Sequence, residues 1–224
     1  MTTTKEGCAT STETDRLELA GRAAITEAAR LWSSDVFDPP RNDHSPRAQA
    51  SRKAIEGIVH AGGWTWLDYR GDGDVEWCGL FAAACWRAAG IDPRWLATYF
   101  ASTYRLDLWA RYRSFNAKTP NDRPAHGPWR HVANLDRASK VLPWEPRAGD
   151  VLMIGDGSPE FGDHICLVES YDAGRRTFST IEGNGVGLGP DGKRRQGIVR
   201  GERQLGGSGY CARRLIRPAP SDLV

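Results

Sequence analysis

Few side chains can attack an amide carbonyl, and in this chain one of them stands at the head of an apolar run. In "EWCGLFAAACWRAAGI", Cys78 is followed at once by Gly79, and Phe81, Ala82, Cys85 and Ala89 recur on its face at helical spacing. The pattern predicts a helix over 78–89, ended by Gly90, with Cys78 at its N-terminal mouth. A thiol at such a position meets unpaired N–H groups and the positive end of the helix dipole, which favour the reactive thiolate. Cys85 lies about 10 Å further along the axis at ~1.5 Å per residue, too far for a disulfide with Cys78. The five cysteines are scattered and form no C-x-x-C pair, which argues against a disulfide framework and against structural zinc.

A thiolate nucleophile needs a base, and the base needs an orienting group. Of the five histidines, His44, His126 and His131 fall in polar loops and His60 near a helix end. His164 instead opens the alternating run "HICLVES", where His164, Cys166 and Val168 share one face and Ile165 and Leu167 the other. An ionisable ring at the edge of a core-facing stripe is costly unless paired. "TIEGNG" supplies Glu182 and Asn184, two apart and therefore expected on one face of a neighbouring strand. Either accepts an imidazole N–H, fixes the tautomer and supports the imidazolium. "EGNG" is equally good turn chemistry, so its Gly-Asn-Gly part also reads as a simple turn.

The elements that must hold these residues read as helices first and strands second. Residues 1–15 are Thr/Ser-rich and expected to be disordered. Leu17, Leu19, Ala20, Ala24, Ile25, Ala28 and Leu31 predict a helix over 16–32, capped by Asp15, and a second follows over 47–60. After the 78–89 helix comes a Trp/Tyr/Arg-rich stretch with one helix near 101–115 and a polar loop. From Asp150 onward the period changes to that of strands: "DVLMIG", "HICLVESY", "TFSTIEGN", "GIVRGER" and "YCARRLI", separated by Gly/Asp turns. This order predicts an α+β fold with about five antiparallel strands.

Composition sets outer limits. The chain has 224 residues, 40% hydrophobic and 26% charged, with a net charge of +2, as expected for one globular domain. Residues 193–217 hold eight Lys/Arg against Glu202 alone; this reads as a solvated strand face, or as a rim attracting an anionic polymer. No RNA-binding aromatic motif or zinc-finger spacing accompanies it, so nucleic acid is not expected as a partner. No run approaches the ~18 apolar residues of a membrane span, and no basic-then-apolar signal peptide is present. The chain is therefore expected to be made in the cytoplasm without a leader and without membrane insertion.

Taken in order, "EWCGLFAAACWRAAGI", "PRAGDV" at 146–151, "GDHICLVES" at 162–170 and "IEGNG" at 181–185 resemble the CHAP domain. These are cysteine- and histidine-dependent amidohydrolases and peptidases, relatives of the NlpC-type and papain-like enzymes. The resemblance covers roughly 64–217, with 93–142 as an insertion that accounts for the 86 positions separating Cys78 from His164. It leaves 16–63 as an N-terminal helical extension packed on the core and 218–224 as a tail. It implies a papain-like fold, Cys78 as nucleophile, His164 as general base, Glu182 as its orienting acid and Asn184 as the residue completing a tetrad. The Cys78 backbone N–H would contribute to the oxyanion hole, and no metal or organic cofactor is implied.

The substrates that the resemblance implies are amide bonds of bacterial peptidoglycan, either from N-acetylmuramic acid to L-alanine or within the stem peptide and cross-bridge. Trp64, Trp66, Tyr69, Asp72, Asp74 and Trp77 precede the nucleophile and are expected to line the substrate groove. Without a leader, such an enzyme reaches the periplasm or cell wall through a holin, as a phage endolysin, or through a secretion machine, as an antibacterial effector. An effector implies a cognate immunity protein as partner. The alternatives are a thiol protease or deamidase of the same fold acting on a protein, or a catalytically silent binding module.

Overall fold

The computed structural model describes residues 11–63, 77–90, 131–135, 140–142, 144–155, 164–206 and 211–217. Among the described residues three helices come first: α1 (Ser11–Ser33), α2 (Pro46–Ala61) and α3 (Cys78–Ala88). Ser45 caps α2 by accepting from the Ala48 N–H, with Pro46 at the first helical position, where its missing N–H costs nothing. Helix α1 begins at Ser11 rather than at the expected 16, so residues 11–15 belong to a helix and not to a disordered arm.

Six described strands follow: β1 (His131–Asn134), β2 (Val151–Gly155), β3 (His164–Asp172), β4 (Thr177–Leu188), β5 (Arg194–Gln204) and β6 (Cys211–Arg217). They form one sheet in the order β1-β6-β2-β3-β4-β5, antiparallel throughout except where Gln204 of β5 meets Cys211 of β6. That last pairing brings the far edge back to β6 and curls the sheet. β1 lies within the 93–142 insertion and adds a strand beyond the five expected; His131, read as a loop residue, is its first residue. The helix expected near 101–115 lies outside the described residues. β4 also runs on to Leu188, past the turn that "EGNG" suggested.

Period-two alternation gives the sheet two apolar faces. Ile165, Leu167, Ile181 and Ile198 pack beneath the helices with Leu17, Ala24, Ile55, Leu80 and Phe81. Cys166, Val168, Phe178, Leu152 and Leu215 form a second cluster on the opposite, inward-curled face. Helix α3 is buried all round from Cys78 to Trp86, which explains its small, alanine-rich sequence: bulkier side chains would hold it away from the sheet and from α1 and α2. Trp86 fastens its far end by donating from Nε1 to the Gly149 carbonyl at 2.9 Å.

Most of the basic stretch is paired or buried rather than solvated, with Lys193 and Arg194 its exposed members. Arg217 donates to both oxygens of buried Asp150 at 2.8 and 2.7 Å, and Arg200 to Glu169 at 2.7 Å. Arg195 pairs with Asp35 and Asp191. Arg213 and Arg214 are themselves buried. Arg217 with Asp150 ties β6 to the segment before β2, and Arg195 with Asp35 ties β5 to the segment after α1.

Candidate active site

Cys78 is the first residue of α3 and is buried. Trp77 occupies the N-cap position, provides no side-chain cap, and no acidic residue stands in the first turn. The first N–H groups of the helix are thus not claimed by a capping side chain, the condition under which a helix terminus can hold developing negative charge.

His164 opens β3, opposite Ile154 of β2, and of the three grouped residues it is the one that reaches the surface, with 13% of its side chain exposed. Its Nε2 lies 3.0 Å from Oε2 of Glu182, whose side chain is wholly buried. A carboxylate only accepts, so Nε2 carries the proton and Nδ1 is the nitrogen left for Cys78. Burial acts to lower the His164 pKa, but hydrogen bonding and charge from Cys78 and Glu182 outweigh it and raise it to about 10. Burial acts to raise the Glu182 pKa, and the hydrogen bonds from His164 and Arg203 overturn it, bringing it down to about 2. The two shifts describe one arrangement, a carboxylate and an imidazolium holding each other charged in a dry site.

Two donors to Glu182 escaped the sequence reading. Arg203 of β5 approaches it with Nε at 2.8 Å from Oε1 and Nη2 at 2.5 Å from Oε2, and Thr180 Oγ1 donates to Oε1 at 2.5 Å. The signal was present in principle: a glutamate facing inward from a strand demands a cation, and the following strand is rich in arginine. Which arginine, however, depends on cross-strand register.

The structure brings Cys78, His164 and Glu182 together and leaves Asn184 apart. The β4–β5 register shifts between Glu182 and Gly185, and Asn184 sits in the bulge with φ 54, a left-handed conformation that asparagine tolerates. Its Oδ1 accepts from Gln196 Nε2 at 3.2 Å on the exposed side. The expectation that positions 182 and 184 share a face fails because a bulge breaks period-two alternation. Trp77, expected to line a groove, is instead wholly buried, edge-on to Phe81 with ring centres 6.4 Å apart. Trp64, Trp66, Tyr69, Asp72 and Asp74 lie outside the described residues.

Cys85 and Cys166 are placed for packing. Burial pushes the Cys85 thiol far above its ordinary range and Cys166 likewise, and Cys166 Sγ lies 3.4 Å from the Leu152 carbonyl. Among the described residues no group of three His, Cys, Asp or Glu stands together as a metal site, and no helix is long and apolar enough to cross a membrane. Searches against protein-family models, curated proteins and solved structures each returned no match to this chain.

Proposed function

We propose that this protein is a papain-like thiol hydrolase that cleaves an amide bond of bacterial peptidoglycan. The observation that carries the thiol-hydrolase reading is the line from Cys78 through His164 to Glu182, with His164 Nε2 at 3.0 Å from the carboxylate. The likeness of the four motifs to the CHAP pattern supports the choice of substrate. In this reaction Cys78, as thiolate, attacks the scissile carbonyl, and the first-turn N–H groups of α3 hold the oxyanion. His164 gives its Nδ1 proton to the leaving amine, then takes one from water, and the resulting hydroxide breaks the acyl-thioester and frees Cys78. Glu182 stays charged throughout and stabilises the imidazolium. The enzyme acts in the periplasm or cell wall after delivery by a secretion machine or a holin, and as an effector it would be held in check by an immunity protein.

Mass spectrometry of purified sacculi digested with wild type and with Cys78→Ala tests this directly. New muropeptides are expected from wild type alone, and their masses name the bond. Wild type that releases none, or Cys78→Ala that releases the same set, overturns the proposal.

A further inference from the structure

A wholly buried carboxylate is stable only where its oxygens are fully engaged, and His164 meets just one side of Glu182. The remainder comes from Thr180 on its own strand and from β5. Register places Val199 opposite Glu182, Gly201 opposite Thr180 and Arg203 opposite Phe178, so the Arg203 side chain must run back along the strand to reach the carboxylate. Gly201 leaves the lane open: a Cβ there would lie 2.7 Å from Glu182 Oε1 and 3.3 Å from Arg203 Nη2. Asn184 takes no part, being turned out by the bulge toward Gln196.

We propose that Arg203, rather than Asn184, completes the site as a positioning residue, clamping Glu182 against His164 and thereby keeping the imidazole aimed at Cys78. The proposal rests on the thiol-hydrolase reading. With Arg203 in place, Glu182 lies between two cationic groups, His164 on one side and Arg203 on the other. The other groups packed there are Thr180 on β4, which donates to the same carboxylate, and Cys166 on β3, which burial keeps as a neutral thiol. Of the other arginines on β5, Arg200 pairs with Glu169 and Arg195 with Asp35 and Asp191. A lysine at 203 would supply charge without the two-pronged geometry that fixes both oxygens.

The test compares Arg203→Met, Arg203→Lys and Asn184→Ala in sacculus digestion, together with the pH dependence of Cys78 alkylation by iodoacetamide, which needs no substrate. Arg203→Met is expected to lower kcat by about 10–100-fold with KM changed less than about twofold, Arg203→Lys to recover part of the loss, and Asn184→Ala to lose less than either. With Arg203 gone, Glu182 is protonated at a higher pH, so the acid limb of alkylation moves up by about one unit or more in Arg203→Met. Arg203→Lys keeps the cation and serves if the methionine variant does not fold. An unmoved acid limb in the Arg203 variants, or a larger loss in Asn184→Ala, overturns the proposal. If sacculi are not cut at all, the substrate reading fails while the alkylation profile still decides the role of Arg203.

Discussion

Residue by residue, the proposed site rests on Cys78, His164, Glu182 and Arg203, and charge decides its behaviour. Cys78 is expected to react with iodoacetamide before Cys85 and Cys166, because only Cys78 has an imidazolium beside it while burial holds the other two as thiols. Competitive labelling followed by peptide mapping measures the order, and faster labelling of Cys85 would contradict it. The pH dependence of stability follows from the two shifted groups. Glu182 is lowered from 4.5 to about 2 on folding, so its contribution is present above pH 4.5 and lost as pH falls toward 2. His164 is raised from 6.5 to about 10, so its contribution is complete below pH 6.5 and lost as pH rises through 10. Denaturant midpoints of wild type should fall at both ends, and Glu182→Gln should flatten both slopes. The same His164 shift predicts activity that persists into alkaline pH and declines near 10.

At the scale of elements, the site depends on how closely α3 lies against β4. Gly183 stands between Glu182 and the bulge, and a Cβ there would come within 2.4 Å of Phe81 Cβ and 2.8 Å of the Trp77 ring. Gly183→Ala is therefore expected to cost about 1–3 kcal/mol and to lower kcat by moving Glu182 and His164 away from Cys78. Urea denaturation and sacculus digestion measure the two effects, and a variant with wild-type values in both would show that this contact does not position the site. The helix and strand types were legible in "CGLFAAACW" and "HICLVES" because their periods are local. The bulge at Asn184 was not, since the glycines around it suit a turn, a bulge or a close approach equally well.

At the scale of the whole molecule, the N-terminal helices are part of the core. Leu17, Ala20, Ala24 and Ala28 of α1 pack in one cluster with α3 and the sheet. Gly21 lies so close to the segment before β2 that an added Cβ would meet the Ala148 carbonyl at 2.3 Å. The stretch after α1 is pinned as well, with Val36 O accepting from the Ile198 N–H at 3.0 Å and Asp38 N–H donating to Gln196 O at 3.0 Å. Removing residues 1–33 exposes this apolar surface and is expected to abolish cooperative thermal unfolding. A truncated chain that melts cooperatively within a few degrees of the full one would overturn this.

Local spacing points to the residues able to do the chemistry and to the type of element each occupies. Spacing places Cys78 at a helix mouth and His164 at a strand start, and offers Glu182 and Asn184 equally as the orienting group. Their surroundings come from long-range packing. The carboxylate's second partner is set by the register of β4 on β5, which places Arg203 and Gly201 beside Glu182 from about twenty positions away. The exclusion of Asn184 is set by one extra residue in a strand. Both depend on long-range pairing, and a local pattern of polar and apolar residues carries no information about which strand lies alongside which, or in what register.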